Sequence, residues 1–316
     1  MGLLVDGEWK TDWYESDDDG AFKRPPTRFR HQVEAGAETY KPEKDRYHLY
    51  VSYACPWAHR VLITRALMGL EDVFDYTAVD SLMLDDGWAF GGNGDKDPLF
   101  GAKFLREIYT RAKSDYTGRV TVPVLWDKQT ETIVNNESRE LMRMLTTAFK
   151  DLTTTDADLL PSGKTEQVDA MLDRIYNPYN NGVYRAGFAT SQEAYEVAVK
   201  EVFETLDFAE NILSKQRYLC GTELTEADIA MYTTTIRFAE VYYFHFKCNI
   251  RRLQDYPNVW GYLLDLYQMP AFKNTTNFEH IKSHYYYSHP TINPYRIIPL
   301  GPELDLEAPH DRDRFR

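Results

Sequence analysis

Hydrophobic and polar positions follow two different periods along this chain, and the change of period divides it. After a polar stretch at 1–44, the run 46–53 (RYHLYVSY) is rich in aromatic and β-favouring residues and predicts a strand. Cys55-Pro56 comes next, then WAHRVLITRALMGL, where Val61, Leu62, Ala66 and Leu67 recur at helical spacing. Pro56 suits a first helical turn, where no N–H is needed, and Gly69 suits the end of the helix. A second strand is predicted at 73–79. A Gly- and Asp-rich loop over 80–118 carries a helix at 103–113. Two β-like runs, 120–126 (VTVPVLW) and 132–134, flank a Lys-Gln-Thr-Glu turn and predict a hairpin, and 137–149 closes the region as a helix. This order of elements predicts a mostly α/β layer with a strand-to-helix cysteine at its edge.

Beyond a Thr-, Asp-, Pro- and Gly-rich linker at 151–163 only the helical period is found. Helices are predicted at 166–176, 191–213, 226–243, 259–267 and 278–286. The expected organisation is an N-terminal extension at 1–44, an α/β domain at 45–150, an all-α domain at 164–287 and a Pro-rich tail at 288–316. The extension, with an acidic run at 17–19 and Pro25-Pro26, is expected to drape over the surface.

Length and charge narrow the function. At roughly 150 residues per domain, 316 residues fit about two domains. A net charge of −13 repels phosphate backbones and anionic lipid, so neither nucleic acid nor a membrane surface is an expected partner. Three cysteines make no disulfide framework and point to a reducing compartment. The N-terminus lacks a basic segment leading into an apolar one, position 6 is Asp6 where a myristoylation signal wants Ser or Thr, and no apolar run is long enough to span a bilayer. A cytoplasmic protein is expected.

Cys55 is the sharpest chemical feature. Between a strand and a helix, it meets unpaired N–H groups and the positive helix end, which favour a thiolate. Ala58 stands where a dithiol redox enzyme has its second cysteine, so a thiol from solution must resolve any disulfide at Cys55. Val122-Pro123 is the second feature. A cis bond there would offer the Val122 backbone to a peptide-like ligand, although X–Pro bonds are mostly trans. Glu137-Ser138 opens a helix that is either ordinarily capped or a carboxylate site. His59, one turn after Cys55, reads as a packing residue. His280 with His284, and His245 with Cys248, supply no complete ligand set, so no metal is expected. Cys220 and Cys248 read as buried thiols. Thr225 to Asp228 reads as a helix-capping box, with Leu224 and Ile229 as its hydrophobic staple.

These residues together resemble the cytosolic glutathione transferases, with a thioredoxin-like N-terminal domain and a helical C-terminal domain. YACPWAHR at 53–60, Gly87-Trp88, GRVTVPVLW at 118–126, NES at 136–138, NGVYRAGFATS at 181–191 and TINP at 291–294 resemble the Xi-class members, the glutathionyl-hydroquinone reductases. The resemblance implies a cis Val122-Pro123 bond and Cys55 as the nucleophile. It implies glutathione as co-substrate, held by Trp88, Arg119, Val120, Thr121, Val122, Glu137 and Ser138. It also implies Tyr184 as proton donor and acceptor, and Tyr242 and Tyr285 as tyrosines that help to lower the nucleophile's pKa.

The implied reaction is reduction of S-glutathionyl-hydroquinones through a Cys55–glutathione mixed disulfide, by a homodimer. Two other readings share the fold: a general thiol transferase or dehydroascorbate reductase, which needs Cys55 but not Tyr184, and a non-catalytic interaction module, which needs neither.

Overall fold

The computed structural model describes residues 2–11 and 19–315, so Asp17 and Asp18 of the acidic run lie outside the described residues. The chain forms two compact units. Their bounds are Met1–Trp13, Pro25–Ala157 and Thr275–Ile298 for the first, and Tyr14–Arg24, Asp158–Asn274 and Pro299–Arg316 for the second. Among the described residues no helix is long and apolar enough to cross a membrane.

The first unit is thioredoxin-like. It begins with β1 (Leu3–Val5) and β2 (Glu8–Lys10), followed by β3 (Tyr47–Val51), α1 (Pro56–Leu67) and β4 (Asp75–Ala78). Next come α2 (Leu105–Ala112), β5 (Gly118–Arg119), β6 (Val124–Asp127), β7 (Thr132–Asn135) and α3 (Ser138–Thr147). The main sheet has the order β4-β3-β6-β7. Its β3–β4 pair is parallel across α1, and its other pairs are antiparallel. Leu49, Val51, Leu125, Trp126 and Ile133 are fully buried in it, at about 2 kcal/mol of favourable burial per large apolar side chain. A buried fork joins the start of β3 to the end of β6: Arg46 Nε and Nη2 donate to Asp127 Oδ1 and Oδ2 at 2.9 and 2.6 Å. Asp127 also accepts from Gln129 N and Thr130 Oγ1, which builds the predicted turn.

The N-terminal stretch differs from the expected surface extension. β1 pairs with β2 and β5 in a second, three-stranded sheet. Further on, His31 N donates to Val134 O and Asn136 N to Phe29 O, so the segment runs along β7. Strands of three residues are too short to show a period of two, which is why the sequence pattern missed them. The 120–126 run is also divided, because β6 starts only at Val124 and the Val122-Pro123 peptide before it is cis.

The second unit is helical, with α4 (Thr165–Ile175), α5 (Gly182–Gly187), α6 (Gln192–Leu213), α7 (Glu226–Thr235), α8 (Pro257–Tyr267) and α9 (Pro270–Lys273). A π-helical turn at Tyr176–Asn180 carries the chain from α4 into α5. Asn180 Nδ2 secures it by donating to Ala230 O and Thr234 Oγ1 of α7. A second π-helical turn at Phe238–Tyr242 shows that the expected 226–243 helix is not continuous. The tail at 299–315 is not a loose end. Buried Arg312 donates to the carbonyls of Leu213, the last residue of α6, and of Gln216 and Arg217 just after it, satisfying acceptors that a helix end leaves open.

The last helix, α10 (Phe278–Ser288), belongs to the first unit and not to the 164–287 domain expected from the pattern. It is anchored by polar contacts that periodicity does not report. His280 Nε2 lies 3.1 Å from Asn93 O, His284 Nδ1 lies 3.0 Å from Ser81 O, and Met83 N donates to Ser288 Oγ.

Candidate active site

Cys55 is the N-cap residue of α1. Its backbone is extended (φ −78°, ψ 120°), Pro56 occupies the first helical turn, and its carbonyl accepts from His59 N at 2.9 Å. Ser52 shapes the approach, since its carbonyl accepts from Cys55 N and its hydroxyl oxygen from Ala54 N. The half-buried thiol is therefore held at the positive end of a three-turn helix, where negative charge on sulfur is favoured. Its Sγ lies 3.7 Å from the carbonyl oxygen of Val122. His59 is buried one turn on, with Nε2 3.0 Å from Thr275 Oγ1.

The segment that faces Cys55 contains Arg119, Val120, Thr121 and Val122. Arg119 lies on β5 opposite Leu3, and its carbonyl accepts from the Tyr116 hydroxyl. Val120 and Val122 are buried, while Thr121 is bonded through both backbone groups to the Tyr109 hydroxyl. Glu137 is the N-cap of α3. Its carboxylate accepts from Arg139 N and Thr27 Oγ1, and its own N–H donates to Asn135 Oδ1 at 2.7 Å. Ser138, the first residue of α3, is buried.

Trp88 and Tyr285 are linked through His284. The Trp88 and His284 rings stack with centroids 4.9 Å apart, and Tyr285 meets His284 edge-on at 5.2 Å. In the sequence His284 reads only as a possible metal ligand, because local spacing carries no sign of this stacking on Trp88. Among the described residues no group of three or more His, Cys, Asp or Glu is arranged to hold a metal ion.

Tyr184 and Tyr242 lie in the second unit, in one aromatic cluster. Their ring centroids are 6.0 Å apart, and Phe246 packs on both. Arg24 covers the Tyr184 ring with its guanidinium carbon 5.0 Å from the centroid, and donates from Nε to Asn181 Oδ1. Gly187 makes the cluster possible, because a Cβ there would stand 2.2 Å from the Phe246 ring.

The remaining candidates are structural. Asp228 accepts from Leu219 N, Thr225 N and the Tyr262 hydroxyl at the start of α7, which is the capping role read from its spacing. Cys220 and Cys248 are buried, and burial raises both thiols, Cys220 to about 11.

Comparison with known proteins identifies the family of the chain. Residues 54–148 match the glutathione S-transferase N-terminal domain, and residues 192–264 the C-terminal domain. The chain is 50% identical to glutathionyl-hydroquinone reductase YqjG of Escherichia coli K12, covering 99% of each chain. It is 46% identical to glutathionyl-hydroquinone reductase PcpF of Sphingobium chlorophenolicum, covering 97% of this chain and 98% of PcpF. The solved Xi-class glutathione transferase of Natrialba magadii superposes with a TM-score of 0.94 at 51% identity, covering 100% of this chain and 97% of that one. The glutathione-bound structure of YqjG superposes with a TM-score of 0.90, covering 99% of both chains. The chain belongs to the glutathione transferase family, and within it to the Xi class of glutathionyl-hydroquinone reductases.

Proposed function

We propose that this protein is a glutathione-dependent enzyme that reduces S-glutathionyl-hydroquinones to hydroquinones. The observation that carries the reading is Cys55, a single thiol at the N-terminus of α1, facing the Val122 backbone. The Cys55 thiolate attacks the sulfur of the glutathionyl-hydroquinone. The carbon–sulfur bond breaks, the ring carbon keeps the electron pair and takes a proton, and the hydroquinone leaves. Tyr184 supplies that proton as general acid. Cys55 is left in a mixed disulfide with glutathione. A second glutathione thiolate attacks it, so that glutathione disulfide departs and the Cys55 thiolate returns. Ala58, in place of a second cysteine, fits this one-thiol route.

Glutathione is a short peptide with two carboxylates and one ammonium. The Val122 backbone would pair with its cysteinyl unit. The N-terminus of α3 and the Ser138 hydroxyl would take the γ-glutamyl carboxylate, with Glu137 for the ammonium. Arg119, Val120, Thr121 and Trp88 would complete this site, and Tyr242 and Tyr285 would donate hydrogen bonds that favour the sulfur anion. The reading includes a homodimer in a reducing cytoplasm, supported in the second respect by three cysteines that all stand as thiols.

Steady-state turnover of several glutathionyl-hydroquinones tests the proposal. The wild type should turn over at least one of them and Cys55→Ser none. Equal turnover by both proteins would overturn it.

A further inference from the structure

Tyr109 lies on α2, away from any sequence motif, and is completely buried. Its hydroxyl donates to Thr121 O at 2.7 Å and accepts from Thr121 N at 3.2 Å. It also accepts from Asn136 Nδ2 at 3.0 Å. One phenol oxygen thus fixes both backbone groups of the residue before Val122 and the side chain of the residue before Glu137. Burial raises the phenol above its usual value, so it remains a donor at neutral pH. The ring is itself held, edge-on to Phe29 at 5.9 Å and to Tyr116 at 5.1 Å. Asn136 closes the arrangement from its other end by accepting from Phe29 N through Oδ1.

We propose that Tyr109 is a positioning residue for glutathione, holding the Thr121–Val122 backbone and the Asn136–Ser138 helix start at a fixed separation. This rests on the reading that Val122, Glu137 and Ser138 hold the tripeptide. A peptide ligand that pairs with one segment and places its carboxylate on the other needs both at once, and a shared buried hydroxyl sets the distance between them. Cys55 takes no part in the bonds to the Tyr109 hydroxyl, so its intrinsic chemistry should not depend on that oxygen.

Tyr109→Phe removes the oxygen and keeps the ring. The expected result is a rise of about tenfold in KM for glutathione, the cost of leaving buried amide groups unpaired. Neither kcat at saturating glutathione nor the rate of Cys55 alkylation by iodoacetamide should change. Ser138→Ala is assayed beside it. If Ser138→Ala raises KM and a folded Tyr109→Phe does not, the positioning role is overturned while the glutathione site stands. If neither variant raises KM, the site itself is misassigned and the role falls with it. Losses in kcat and in alkylation at constant KM would mark a merely structural tyrosine and also overturn the role. Should Tyr109→Phe fail to fold, Asn136→Ser removes the amide partner instead. A raised KM then supports the role, and an unchanged one overturns it.

Discussion

The Cys55 sulfur lies 3.7 Å from the Val122 carbonyl oxygen, at the point where α1 begins and the chain turns into β6. The other two thiols are enclosed, and burial raises Cys220 to about 11 and Cys248 still further. Reactivity follows the thiolate, so near neutral pH the two buried thiols should react at least about 100-fold more slowly than an ordinary cysteine. Iodoacetamide labelling followed by peptide mass mapping should find Cys55 modified first, with Cys220 and Cys248 modified only after denaturation. Comparable labelling of all three in the folded protein would contradict this.

Tyr184 separates the proposed reaction from simple thiol transfer. Breaking a carbon–sulfur bond leaves a carbon that needs a proton, whereas cleaving a small mixed disulfide does not. Tyr184→Phe should lower hydroquinone release by about 100-fold or more, the usual range for a general acid, and leave disulfide cleavage nearly intact. Parallel rate measurements on the two substrate types check this. An equal loss on both would remove the acid role and favour a general thiol transferase.

The elements most legible in the sequence are those with a chemical start signal. Pro56 at the first turn of α1, and the Thr225–Asp228 capping box at the start of α7, mark helix starts at their observed positions. Helix α5 is absent from the predicted helices: Pro178 and Gly182 interrupt the helical period, and a π-helical turn carries the chain past Pro178 into the helix. The pattern marks a residue such as Tyr109 as helical but carries no information on where its hydroxyl bonds, since Thr121 and Asn136 are distant in sequence. The site shows the same division. Cys55 is visible from local spacing, whereas Tyr184, Tyr242 and Tyr285 stand out only through resemblance, because a tyrosine among 23 carries no local signal.

His48 gives the fold a pH dependence independent of catalysis. It is buried on β3 with Nε2 2.8 Å from Thr77 Oγ1, and burial lowers its imidazole from 6.5 to about 4. The unfolded chain therefore takes up this proton more readily than the native state. The contribution to stability is complete above the unfolded value and is lost as pH falls toward the folded one. Chemical unfolding of wild type and His48→Gln should show their stability difference shrinking, to the wild type's disadvantage, by up to about 3 kcal/mol between about pH 7 and about pH 4. A difference independent of pH would contradict the assignment.

The central claim is a covalent step at Cys55, and intact-protein mass spectrometry reads it directly. The protein is mixed with one equivalent of a glutathionyl-hydroquinone, with no added glutathione to resolve the intermediate. The account predicts a mass increase of one glutathione, mapped to Cys55, together with an equal amount of hydroquinone, and neither product from Cys55→Ser. Hydroquinone formed without an adduct, or an adduct that persists in Cys55→Ser, would contradict it.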